Sequence, residues 1–151
     1  MKNAIFIGLI SFLLGSCTFY EPEYRSEGSL KFDQINGRNI KFTAGAKVYN
    51  ENFYAVKVKP STLDVFIEGE YMGEIHLDEK IKMKAKRETL IEAPFTATLD
   101  NGALLKLLKF ANKDRIQVRL AGNVKAGIWI IGKNIEVNET RSINGAKLKF
   151  L

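Results

Sequence analysis

The chain has 151 residues, with 23 Lys and Arg against 17 Asp and Glu, for a formal net charge of +6. Its 46% apolar and 26% charged residues are ordinary for a globular protein, and the length suggests one domain. A single Cys excludes a disulfide framework within the chain and every multi-cysteine metal site, and a single His excludes any site that needs two.

The first seventeen residues read MKNAIFIGLISFLLGSC. Lys2 is a short positive head, and Ala4 to Gly15 is an uncharged apolar stretch of twelve residues. A bilayer needs ~20 residues to span, so the stretch is too short to cross. It fits the apolar region of a secretory signal, helical in the precursor. It ends in Leu14-Gly15-Ser16-Cys17. This resembles the lipobox of bacterial lipoprotein precursors: an apolar residue, two small residues, then cysteine. The resemblance implies that residues 1–16 are removed, that the Cys17 thiol carries a diacylglycerol, and that its freed amine is acylated, commonly with palmitate. One acyl chain holds a protein to a membrane only marginally, whereas two or three hold it stably. The mature chain is then residues 17–151. Losing Lys2 leaves 22 basic against 17 acidic residues, a formal +5. Export argues against nucleic acid as a partner despite this basic balance. Thr18 is not the aspartate that often retains lipoproteins at the inner membrane, so the reading leans to the outer membrane.

After Cys17, the segment TFYEPEYRSEGS has no apolar periodicity. Residues 17–29 read as a lipidated tether, and residues 30–151 as the domain. Phe19, Tyr20 and Tyr24 suit either the lipid headgroup level or the domain's own surface. From Leu30 onward apolar residues recur at every second position: Ile40 to Val48, Leu63 to Ile67, Ile81 to Ala85, Ile116 to Leu120. Such alternation signals half-buried antiparallel strands. Further strand-like runs are Ala55–Lys59, Leu90–Leu99, Gly127–Ile131, Ile135–Thr140 and Lys147–Leu151. Turn signals fall at Asn36-Gly37, Asn50-Glu51-Asn52, Gly69, Gly73, Gly122-Asn123, Gly132 and Asn144-Gly145. Many short strands with frequent turns indicate an all-β sandwich or barrel. One segment departs from the pattern. In NGALLKLLKFAN, Leu104, Leu105, Leu108 and Ala111 follow helical spacing, with Lys106, Lys109 and Lys113 toward the other side. A short amphipathic helix over about 102–112 is expected, capped by Asp100 or Asn101 and packed over an open end of the sandwich. A helix lying on a membrane surface is the alternative. INGRNIKF (35–42) echoes INGAKLKF (143–150), as two similar turn-to-strand passages would.

The stretch from about Ile40 to Asn138 resembles the LEA type 2 family, also called the WHy domain. A strand KFTAGAKVYN leads to Asn50-Glu51-Asn52 and then to FYAVKV, with Glu51 where the family commonly carries proline. The hairpin TLDVFIEGEYMG, the long strand MKAKRETLIEAPFTATL, the helix and the strand RIQVRLAGNVKAG follow in the family's order. The resemblance implies an antiparallel β-sandwich of immunoglobulin or fibronectin III type with one helix, no catalytic residues and no cofactor. Some members are linked to stress tolerance.

The residues support no catalytic or metal constellation. Glu74, His76 and Asp78 share a strand face but sit ~7 Å apart, too far to ligate one ion, and His76 reads as a surface histidine. No nucleophile elbow or phosphate loop occurs. Lys80, Lys82, Lys84 and Lys86 occupy every second position, which on a strand sets four ammonium groups on one face. Such a ladder suits an anionic lipid or glycan. It equally protects an edge strand from pairing with other chains, and the second reading is favoured. Trp129, in GIWIIG, reads as core rather than as an interaction edge. The expected function is that of a membrane-anchored envelope lipoprotein without enzymatic activity, in an interaction or stress-protective role. A carrier of a small hydrophobic ligand or lipid is the second hypothesis and requires an apolar pocket of ~300–1,000 Å³. A third makes the protein an accessory subunit binding an envelope protein through Gly127–Gly132.

Overall fold

The computed structural model describes residues 20–25, 28–128 and 131–145. Cys17, the signal segment, Trp129 and the run Lys147–Leu151 lie outside these residues. In chain order the elements are β1 (Glu23–Tyr24), β2 (Ser29–Asn36), β3 (Asn39–Asn50), β4 (Val56–Val58), β5 (Thr62–Ile67), β6 (Glu70–Leu77), β7 (Ile81–Met83), β8 (Arg87–Leu99), α1 (Ala103–Phe110), β9 (Ile116–Ile128) and β10 (Ile131–Ile143). The fold class is the expected one, antiparallel all-β with one short helix.

Every strand pairs antiparallel in a single hydrogen-bonded network, with β3, β8, β6, β5 and β9 adjacent in that order. β1 and β2 both pair with β3, and β10 runs along the whole of β9. β4 continues the β5 side of β9 and carries β7 on its far edge. β7 then packs back against β8 and β3 without pairing with them. One sheet curled on itself therefore takes the place of two separate stacked sheets. The long strands make this feasible. Each of β3, β8 and β9 runs 12 or 13 residues, and each holds a Gly or Pro near its middle: Gly45, Pro94 and Gly122. Residues of this kind interrupt regular packing and mark bends in long strands. Pro94 lies where β6 stops pairing with β8, beyond the Leu77–Phe95 pair, so its missing N–H leaves no partner on β6 unmet.

Three expected turns do not occur. Gly73 lies inside β6, Gly122-Asn123 inside β9 and Gly132 inside β10. Gly122 serves close approach: a Cβ there would stand 2.9 Å from Leu63 Cδ2 and 3.2 Å from the Thr62 carbonyl. The Gly69 signal does mark a turn. Glu68 and Gly69 have φ of 51° and 81°, as in the two-residue hairpin turns that match strand twist.

The main core cluster gathers Ile67, Met72, Ala103, Leu107, Phe110 and Ile116 under the helix. Burying side chains such as Leu107 and Phe110 contributes about 1.5–3 kcal/mol each. Helix α1 thus closes one end of the curled sheet, as expected, but with a different face. Ala103, Leu107, Phe110 and Ala111 are buried, whereas Leu104, Leu105 and Leu108 are exposed. The aromatic Phe110 and the two alanines let the helix sit close to the sheet, and this turns the three leucines outward. Its start also differs. Gly102, with φ 77°, is the cap residue and no side chain caps the helix. Asn101 instead accepts a hydrogen bond from Arg38 Nη1 at 2.9 Å.

Candidate functional site

The most tightly built polar site lies at the end of the sheet opposite the helix. Asn50 closes β3 and Asn52 follows two residues later, with both side chains essentially inaccessible (0% and 1% exposed). A buried amide must find partners, and each of these does. Asn50 Nδ2 donates to the carbonyls of Tyr54 (2.9 Å), Met83 (3.3 Å) and Lys84 (3.2 Å). Asn50 Oδ1 accepts the Asn52 backbone N–H at 3.0 Å and Asn52 Nδ2 at 2.8 Å. Asn50 thereby ties the end of β3 to the loop before β4 and to the end of β7.

Asn52 faces the incoming N-terminal chain. Its Nδ2 donates to the Tyr20 carbonyl at 2.6 Å, and its Oδ1 accepts the Tyr20 N–H at 2.9 Å. The side-chain amide therefore meets both backbone groups of Tyr20, as a neighbouring strand would. The next residues continue the pairing. Glu23 and Tyr24 lie against Tyr49 and Val48, and the Arg25 N–H donates to the Lys47 carbonyl at 2.9 Å. The Arg25 guanidinium lies over the Tyr49 ring and pairs with Glu23 at 2.7 Å. The described part of the expected tether is thus bound along the edge of β3. The Tyr20 and Tyr24 side chains remain exposed.

Sequence reasoning read Asn50-Glu51-Asn52 as a turn and did not single out its amides as a site. The available signal was two asparagines at a two-residue spacing between apolar strands. A buried turn of this kind demands side chains that both donate and accept.

The lysine series is shorter as a ladder than its spacing predicts. All four side chains are exposed, but only Lys82 lies within β7. Lys80 and Lys84 flank the strand, and Lys86 sits in the following turn with φ 49°, its ammonium 4.2 Å from the Phe53 ring centroid. The turn breaks the two-residue period because Lys86 donates its N–H to the Asn52 carbonyl. β7 ends the strand order, so the lysines do mark an edge. Beside it, a groove of about 170 Å³ runs between β7 and β8, where Glu79 and Glu92 join Lys80 and Lys82.

A second cavity, of about 280 Å³, lies on the inner face of the curled sheet. Its walls come from β2, β3, β5, β6, β8, β9, β10 and α1, and include Phe32, Phe42, Ile67, Met72, Leu107 and Val118. Its two aromatic residues lie together, with the Phe32 and Phe42 centroids 6.2 Å apart, and Phe42 in turn stacks on Phe95 outside the cavity at 5.4 Å. Leu30 and Phe32, on β2, are exposed. The volume falls just below the ~300–1,000 Å³ of small-molecule pockets.

The Glu74, His76 and Asp78 side chains are engaged separately or apart. His76 Nδ1 lies 2.8 Å from the Thr62 hydroxyl, and Asp78 accepts from the Thr96 hydroxyl at 2.8 Å. Among the described residues, no three His, Cys, Asp or Glu side chains converge on a point that could hold a metal. Tyr71 has its pKa raised by desolvation first and then by Glu74, Asp64 and Asp100, which keeps its hydroxyl protonated. None of the described helices is long and apolar enough to cross a membrane.

Strand order, helix and buried asparagine turn define a small antiparallel β domain with one helical cap. The chain belongs to the LEA_2 family: the model of the late embryogenesis abundant protein matches residues 46–141. That match spans β3 from Ala46 through most of β10, and so includes Asn50, Asn52 and the helix. Among solved structures, a protein from Archaeoglobus fulgidus shares the fold at a TM-score of 0.55 and 15% identity, over 81% of this chain and 97% of that one. A protein from Arabidopsis thaliana, solved in solution, aligns at a TM-score of 0.43 and 16% identity, over 85% of this chain and 87% of its own. No curated protein matches the sequence.

Proposed function

We propose that this protein is a lipid-anchored component of a bacterial cell envelope, held at the outer membrane through Cys17, and that its LEA_2 domain binds or shields rather than catalyses. The observation that carries the reading is the position of the Asn52 clamp. It takes hold of the chain at Tyr20, three residues after the lipobox cysteine, so the fold has a dedicated grip on the segment that follows the anchor. Family membership supports a non-enzymatic, structural or stress-related domain. Anionic lipid or glycan at Lys80, Lys82, Lys84 and Lys86, and an envelope protein partner, remain the expected contacts. The test is the mass of the mature protein recovered from its host membrane. It should begin at Cys17 and carry a diacylglycerol and a further acyl chain. A Cys17→Ala variant should leave the membrane on washing, and its retention would overturn the anchor.

The apolar cavity favours a second reading, a carrier of a small hydrophobic molecule. Nearly all of its lining is apolar, so an acyl chain or similar group fits its chemistry and any polar head must face outward. Native mass spectrometry of protein purified from its host separates the two readings. A co-purifying apolar ligand, displaced when Ala97 is replaced by Phe, supports the carrier. A ligand-free mass in both proteins rejects it.

A further inference from the structure

We propose that the domain stands end-on against the bilayer that holds the Cys17 lipid, with Phe53 and Ile131 inserted at the membrane surface. This deepens the anchor reading and rests on it.

The argument begins with length. Tyr20 lies three residues after Cys17, and an extended chain advances at most ~3.6 Å per residue, so the anchor lies within about 11 Å of the clamped backbone. The headgroup layer on one side of a bilayer takes up about 5–7 Å of that, half the difference between total and hydrocarbon thickness. The clamp end is therefore held within a few ångströms of the surface. A free twelve-residue tether would have allowed about 40 Å.

The surface at this end is suited to that position. Phe53 follows directly on Asn52 and is 85% exposed, although it is a large aromatic residue. Ile131, at the start of β10, is 81% exposed. It stands beside the clamp, because Glu21, Ile128, Ile131 and Lys133 line one cavity. An exposed aromatic ring is favoured at the membrane interface. Lys84, Lys86 and Lys133 are exposed around these two residues. The stems of Lys84 and Lys133 can lie along apolar surface while their ammonium groups reach headgroup phosphates, and the Lys86 ammonium sits 4.2 Å from the Phe53 ring centroid. Glu21 and Glu51 lie at the same end and offset part of this charge, so the contact is chiefly apolar.

Another exposed apolar cluster is Leu104, Leu105 and Leu108 on α1. It lies at the far end of β3, whose 12 residues span about 40 Å. In an end-on orientation it projects away from the membrane.

The lone native thiol makes the test clean. Once Cys17 is acylated, F53C, I131C and L105C each carry a single free thiol for a polarity-sensitive fluorophore. The labelled, full mature proteins are placed in vesicles of phosphatidylethanolamine and phosphatidylglycerol with and without brominated lipid. Labels at 53 and 131 should shift to the blue and lose most of their emission to the brominated lipid. The label at 105, equally exposed on the domain, should emit as it does in water. Quenching at 105, or no quenching at 53 and 131 in protein whose mass shows the acyl groups, overturns the orientation while leaving the anchor intact. A mass without acyl groups removes both.

Discussion

The two ends of the domain are closed by different physics. At one end, helix α1 covers the curled sheet with Ala103, Leu107 and Phe110, and apolar burial does the work. At the other, two buried asparagines hold the end of β3, the loop before β4, the end of β7 and the N-terminal chain by directed hydrogen bonds. Apolar burial is non-directional, so the helix end specifies that a cap is present more strongly than which residues meet. The rotated helix face shows this latitude. Hydrogen bonds fix partners, and an unmet buried amide is costly. The asparagine end therefore specifies which segment docks and where. Stability and placement are divided between the two ends, and substitutions at each should separate them.

The largest effect is expected at the helix end. Phe110, 2% exposed, is a core residue of the helix. Phe110→Ala should destabilise the domain by about 3–5 kcal/mol, from lost burial plus a cavity. Equilibrium unfolding in guanidinium measures it. The hold on Tyr20 should survive until the domain unfolds as a whole. Tether release before global unfolding would show that the two ends are coupled rather than independent.

Asn50→Ala should come next, at about 3 kcal/mol. It leaves the Tyr54, Met83 and Lys84 carbonyls without their donor, and each buried unmet group costs about 1–3 kcal/mol. Asn50→Leu, nearly isosteric, should be no better, because shape does not replace the bonds. A Leu variant as stable as the native protein would mean that packing, not hydrogen bonding, closes this end. Asn52→Ala should cost only about 1–2 kcal/mol, since its main partner is the incoming chain. Its signature is local: trypsin should cut after Arg25 much faster than in the native protein at denaturant concentrations where the domain is still folded, while the unfolding midpoint falls less than in Asn50→Ala. Unchanged cleavage would mean that the β1 pairing alone holds the segment.

The same division explains what the sequence made legible. Period-2 alternation marked β3, β5, β7 and β9 because each presents one face to the core and one to water. The helix was visible through its departure from that period, but not its buried face. Leu104, Leu105 and Leu108 outweigh Ala103 and Leu107 on any hydrophobicity count, and only the depth available beneath Phe110 decides between them. β2 and β6 were less clear: every residue of β2 is exposed, and β6 is interrupted by Gly73. Gly122 looked like a turn because a glycine set at a close approach inside a strand is indistinguishable, in sequence, from one that closes a turn. Gly132 has open space where a Cβ would stand, and nothing in the structure explains a glycine there. The clamp was hidden for another reason. Its partner residues, Tyr20 and Asn52, are 32 positions apart and share no pattern. Only topology brings them together.

The smallest predicted effect concerns the helix end and its pH dependence. Glu68, in the β5–β6 turn, accepts the Gln117 N–H at 2.7 Å through one carboxylate oxygen and the Lys113 ammonium at 3.0 Å through the other. The bond from the Gln117 backbone is the main cause, and the Lys113 hydrogen bond the next, that hold its pKa below the ordinary 4.5. A carboxylate whose pKa is lower folded than unfolded binds protons more readily when unfolded. Its contribution is therefore complete above the unfolded value and is lost as the pH falls through the folded one. The carboxylate is solvent-accessible, so the contribution is small and weakened by salt. Comparing the native protein with Glu68→Gln by denaturant midpoint across an acid titration isolates it. The native protein should lead at neutral pH, and its lead should shrink only below the ordinary glutamate range. A lead that persists in strong acid would assign the effect to how the uncharged side chain hydrogen-bonds rather than to its charge, because the positive φ of this residue is common to both proteins.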